Sequence, residues 1–178
     1  HELCEINYTR QLEENRIAEE AYKKIENELD LQTQKVIVVA DDDWLQGVVG
    51  IVSSKVTEKY GLPSILISFD GANDGGSASL DIGKGSGRSI KGFNLVEALS
   101  YSKDTLVKFG GHELAAGLAL RRKDINDFRK KINEYANIVL KDEDLYCKLE
   151  ADMEINADDI TLHLAKEISL LEPFGNSN

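Results

Sequence analysis

Between Lys35 and Phe69 the chain reads as strand, helix, strand with short links, and this stretch constrains the fold more than any other. Val36-Ile37-Val38-Val39 is a continuous apolar run of the kind that forms a buried strand. Trp44 to Tyr60 follows with Gly47 and Gly50 near its start and an apolar stripe of Ile51, Val52, Val56 and Tyr60, the spacing of a helix face. Gly61 suits the position just past a helix end, and Pro63 bars continuation. Ser64 to Phe69, centred on Ile65-Leu66-Ile67, is the second strand. Such a unit closes right-handed with its strands parallel. The expected fold is therefore α/β, a mixed and mostly parallel sheet flanked by helices.

The remaining elements attach to that unit. An amphipathic helix spans about Tyr8 to Asp30, with Ile17, Ala18, Ala21, Tyr22, Ile25 and Leu29 at three- and four-residue steps. Residues 1–33 thus read as a connector helix. Asp70 to Gly76 reads as a loop, and Ser77–Ile82 and Ser86–Ile90 as two strands around a hairpin turn at Gly83-Lys84-Gly85. Asn94 to Leu106 reads as a helix, capped by Asn94 with Glu97 three residues on and stapled by Phe93. Leu114 to Leu120 is a small-residue strand, and Asp124 caps a helix carrying Ile125, Phe128, Ile132 and Tyr135. Alternation returns from Asp144 to Ile155, and a last helix spans Asp158 to Leu171. A boundary near Lys141 to Asp144 separates a domain at 34–141 from a segment at 142–178.

The 178 residues carry a net charge of −11. That argues against a non-specific nucleic-acid binder, which needs many cations to displace counterions. The distribution is uneven: Lys84 to Lys131 holds 11 Lys and Arg against 5 Asp and Glu, so the rest carries −17. A local basic surface on an acidic body suits a short, well-placed phosphate ligand. No apolar run is long enough to cross a membrane, and the first residues lack a signal-peptide pattern. Without an initiating Met and with an abrupt end, the sequence reads as a piece of a longer protein. Cys4 and Cys147 lack metal-ligand spacing and fit free thiols in a reducing cytoplasm.

Two glycine-rich stretches carry the chemistry. Phe109-Gly110-Gly111-His112 places bare backbone before an imidazole and is followed by Ala115-Ala116-Gly117. It fits a tight turn offering N–H groups and His112 to an anion, and equally a strand-entry turn with a hydrogen-bonded His. Gly83-Lys84-Gly85-Ser86-Gly87-Arg88-Ser89 lacks the P-loop gap but offers Arg88, a planar fork suited to phosphate, between the hydroxyls of Ser86 and Ser89. The two stretches either converge on one anion or are unrelated turns. Asp41-Asp42-Asp43 has no accompanying His, and adjacent residues of an extended segment point to opposite faces. It reads as an acidic helix-initiating loop rather than a metal site.

Gly47-Val48-Val49-Gly50-Ile51-Val52-Ser53-Ser54, Gly85-Ser86-Gly87-Arg88-Ser89 and Phe109-Gly110-Gly111-His112 occur in an order that resembles the DHH-associated domain of the RecJ family of single-stranded-DNA exonucleases. Arg10-Gln11 before a helix resembles that family's connector, and Leu171-Glu172-Pro173-Phe174-Gly175 the approach to its OB-fold. The resemblance implies a mixed α/β domain that binds single-stranded DNA for 5′→3′ digestion. It also implies a preceding Asp-His-His domain holding Mn²⁺ or Mg²⁺, so this chain alone is expected to bind no metal and to be inactive. Its partners are the catalytic domain and OB-fold of the same polypeptide, with no membrane involved. Ser86, Gly87, Arg88, Ser89, Gly110, Gly111 and His112 carry over as substrate and phosphate ligands. His112 either contacts phosphate or assists by orienting groups at the metal centre. The segment 70–82 is longer than is usual in the family, and Ser177 stands where Gly is common. Gly-Gly-His is also shared with DHH-family phosphodiesterases for short oligonucleotides or cyclic dinucleotides and with the non-catalytic tRNA-binding module of alanyl-tRNA synthetases.

Overall fold

β1 (Ile37–Asp41) and β2 (Ser64–Ser68) are parallel partners joined through α2 (Val49–Tyr60). Gly61 ends α2 at φ 66°, its N–H donating to the Thr57 carbonyl. The helix starts at Val49, later than the expected Trp44. Residues 44–48 instead form a turn that buries Trp44, whose indole N–H donates to Glu20 at 3.1 Å. The computed structural model describes residues 2–69, 81–141, 144–145 and 153–174, and the chain divides into two units, 1–146 and 147–178.

Among the described residues of the first unit, five strands are ordered β1-β2-β3-β5-β4, with β3 at Ile82–Arg88, β4 at Lys108–His112 and β5 at Ala115–Arg121. The sheet is mixed, but only β1–β2 is parallel. The other three pairings are antiparallel, which corrects the expectation of a mostly parallel sheet. A second correction concerns Gly83-Lys84-Gly85, which is the middle of β3 and not a hairpin turn. Gly83, Gly85 and Gly87 alternate onto one face, where a Cβ would meet Ile67 and Phe69, Ile67 and Leu118, and Leu95 and Ile65 respectively. These glycines make room for neighbouring side chains.

Both faces of β1 are buried, which explains its unbroken apolar run. Val36 and Val38 join Ile65, Ile67, Leu95, Leu99, Phe128 and Ile132 beneath α3 (Leu95–Tyr101) and α4 (Ile125–Val139). Ile37 and Val39 join Trp44, Val49, Val52 and Val56 together with Ile17, Ala21 and Ile25 of α1 (Glu2–Glu28). Asn94 caps α3, accepting from the amides of Val96 and Glu97, and its own amide reaches Glu97. Asp124 makes no such cap. The chain enters α4 through a 3₁₀ turn at Arg122–Asp124, and Asp124 lies 3.9 Å from Arg121.

The outer edge of β1 is blocked by side chains. Asn133 accepts from the amides of Lys35 and Val36 and donates to the Val36 carbonyl; Arg129 takes the Val38 carbonyl and Lys24 that of Ala40. Asn133→Ala would leave these buried strand groups unsatisfied. A loss of about 2–3 kcal/mol is expected, measured as a fall in urea midpoint.

In the second unit the described residues are 153–174. A 3₁₀ turn at Ala157–Asp159 opens on a capping box between Asn156 and Asp159, and α5 (Leu162–Ser169) is capped by Thr161. The expected strands at 77–82 and 144–155, the lengthened segment 70–82 and Ser177 lie largely or wholly outside the described residues.

Candidate nucleic-acid interface

α1 and α2 cover one side of β1, β2 and β3 and leave β5 and β4 open on that side. The pleat sends Lys84, Ser86 and Arg88 of β3 to this side. Pairing extends them into three rows across the sheet: Arg88–Ala115–His112, Ser86–Gly117–Gly110 and Lys84–Ala119–Lys108. The middle strand supplies only Ala and Gly, so the floor is smooth and lies low between two lines of polar side chains. Arg88 and His112 share a row two strands apart, about 10 Å between Cα atoms. Arg88 makes its hydrogen bonds to Ser86 and Gly87 and none to His112, and both side chains can reach one ligand between them.

Arg88 directs one terminal nitrogen, Nη1, to Ser86 Oγ at 3.1 Å and to the Gly87 carbonyl at 2.9 Å. A Cβ at Gly50 of α2 would stand 3.1 Å from Ser86 Oγ and 3.4 Å from Arg88 Nη2, so the helix packs directly against this pair. Gln46 accepts from Lys84 at 3.2 Å. Among the described residues, Lys84, Arg88, Lys108 and His112 have no ion-pair partner, whereas Arg16, Lys24, Lys55, Arg122 and Lys131 each lie beside a carboxylate. The open face is therefore a concentration of uncompensated positive charge on an acidic chain.

The other predicted site residues take different places. Gly110 and His112 lie on the open face, but Phe109-Gly110-Gly111-His112 is an exposed edge strand and the turn comes after it, at Glu113-Leu114. Gly111 faces the other way at φ 153°, with the backbone of Ala115 and Ala116 where a Cβ would stand. Gly87 also faces the core, where a Cβ would meet Leu95 and Ile65. Ser89 follows β3, and its hydroxyl donates to the Phe93 carbonyl at 2.6 Å. Sequence reasoning missed Lys84, Lys108, Gln46 and Gly50. The available signal was the alternation Lys84-x-Ser86-x-Arg88 between glycines.

The acidic triplet is engaged elsewhere. Asp41 pairs with Lys24 at 2.8 Å, and Asp42 with Arg122 at 2.6 Å, which also holds Asp81 and stacks over Phe69. Among the described residues no three His, Cys, Asp or Glu side chains gather as a ligand set. Burial alone would raise the Asp41 carboxyl, but the Lys24 hydrogen bond, the amides of Asp43 and Asp42 and the Lys24 charge hold it below its ordinary value. A depressed carboxylate stabilises the fold above its unfolded value of about 4, and that contribution is lost as pH falls through the folded value. Lys24→Met is therefore expected to lower stability at neutral pH and to flatten the acid limb below about pH 4, followed by thermal melts across pH.

The family model of the DHHA1 domain matches residues 33–137. The single-stranded-DNA-specific exonuclease RecJ of Bacillus subtilis is 39% identical over 178 residues, covering 99% of this chain and 21% of the relative. RecJ of Thermus thermophilus, solved in complex with Mg²⁺, superposes with a TM-score of 0.78 at 28% identity, over 98% of this chain and 25% of that one. The same protein in complex with Mn²⁺ gives 0.77 at 28% identity, over 98% and 24%. This chain thus spans about a quarter or less of the length of these proteins.

Proposed function

The chain belongs to the DHHA1 domain family, and from that premise we propose that it is the substrate-holding domain of a RecJ-like single-stranded-DNA exonuclease. Arg88 grips a backbone phosphate at the 5′ end of the strand, and His112 approaches the same ligand from across Ala115. Phosphodiester cleavage belongs to a preceding domain of the same polypeptide holding Mn²⁺ or Mg²⁺, which activates water and stabilises the charge that develops on the phosphate. An OB-fold continues the strand-binding surface, and the enzyme works in the cytoplasm.

The observation that carries this reading is the row Arg88–Ala115–His112 on an open, small-residue sheet face where, among the described residues, no carboxylate pairs with Arg88 or His112. The similarity to RecJ proteins extends over 98–99% of the chain, well outside residues 33–137, and this favours an exonuclease over a short-oligonucleotide phosphodiesterase or a tRNA-binding module. The chain alone, incubated with end-labelled single-stranded DNA and Mn²⁺, is expected to release no nucleotides. Metal-dependent digestion above that of a mock preparation would overturn the division of labour.

A further inference from the structure

Lys84 and Lys108 face the same side as Arg88 and His112, four residues away along β3 and β4, or about 13 Å. Their Cα atoms flank Ala119 at about 10 Å from each other, and both side chains are exposed. A groove of about 350 Å³ opens at this point, its lining including Gln46, Lys84, Lys108, Phe109, Gly110 and Gly117. Two ammonium groups that share one groove and, among the described residues, have no carboxylate partner repel each other until an anion enters between them. Lysine is a compact charge that holds phosphate without reading a base. The floor between the two ends, Ala115, Gly117 and the buried Ala119, offers no aromatic ring for a base to stack on; the ring lining the groove is that of Phe109 on the edge strand β4.

We propose that Lys84 and Lys108 form a second phosphate grip, taking an internal phosphodiester about two nucleotide steps from the phosphate at Arg88 and His112. This rests on the reading that the face holds single-stranded DNA. The strand then lies along β5, its backbone towards the sheet and its bases away from it, which makes the grip indifferent to sequence. A substrate must reach from one end to the other to use both grips, so affinity rises steeply with length over the first few nucleotides.

The test uses the 178-residue chain and 5′-phosphorylated oligothymidylates of two and eight nucleotides, with binding followed by fluorescence anisotropy and by competition. Lys84→Ala with Lys108→Ala is expected to weaken the octamer tenfold or more and to leave the dinucleotide unchanged. The slope of log affinity against log salt should fall by about 0.7, the value for one single-strand phosphate contact. Lys84→Arg with Lys108→Arg should restore octamer binding. An equal loss on both oligonucleotides, no loss on either, or a loss matched by Lys123→Ala with Lys130→Ala would overturn the second grip. Loss of octamer binding in the Lys84/Lys108 variant while Arg88→Ala binds both oligonucleotides as wild type would overturn the parent reading of Arg88 instead. Absence of any binding by the wild-type chain would overturn both.

Discussion

Arg88→Ala and His112→Ala, made in an enzyme that carries this chain beside its metal-bearing domain, are each expected to lower kcat/KM by about one to two decades with little change in Tm. The loss of a charge-assisted hydrogen bond costs about 1.5–3 kcal/mol, and each 1.36 kcal/mol is about tenfold in rate. Neither side chain is part of a core cluster, so truncation leaves no cavity. Arg88→Lys is expected to recover little, because a point charge cannot reproduce the planar fork. Since the two residues flank one position on the sheet, the double variant should lose less than the sum of the singles. Wild-type turnover in both single variants, with lowered Tm, would make them strand residues with no part in binding.

Gly111→Ala is expected to destabilise the chain by about 3 kcal/mol, while Gly110→Ala next to it changes stability by less than about 0.5 kcal/mol. Gly111 has φ 153°, and an added Cβ would run into the Ala115 carbonyl and Ala116 Cα, backbone atoms that cannot rotate away. Gly110 has nothing within 4 Å of that position. The two adjacent glycines therefore serve different ends: one lets β4 lie against β5, and the other keeps the open face low. Urea denaturation of both variants separates them. Equal midpoints would mean that the β4–β5 hairpin relaxes around the new methyl group.

The first βαβ unit is legible in the sequence because both strands are buried on two faces and carry their own apolar residues. Asn94 and Gly61 are legible for a similar reason, since a cap is a local event in which the residue and its partners lie within a few positions. β3 is not. Its glycines leave space that Ile67, Phe69, Leu95 and Leu118 fill from other elements, so the hydrophobic half of its alternation is written elsewhere in the chain. A glycine also signals a turn as readily as a close approach, and Gly83-Lys84-Gly85 and Gly110-Gly111 both read as turns when each lies within a strand. Reading β3 as two strands around a turn is what obscured the antiparallel pairings. Arg88 and His112 stand out in sequence through their chemistry. That they share a row, and that Lys84 and Lys108 form a second one, depends on the β3–β5–β4 register, which no local pattern encodes.

The proposed role of the open side of β3, β5 and β4 is to hold the phosphates of a single strand. It is tested most directly by nuclear magnetic resonance of the isotopically labelled chain titrated with a 5′-phosphorylated thymidine octamer. Shifts are expected at the Arg88 guanidinium, the His112 ring, Gly110, Ala115 and Gly117, with none at Leu99, Phe128 or Ile132 beneath α3 and α4. Shifts confined to the α3–α4 side, or none at saturating oligonucleotide, would contradict it.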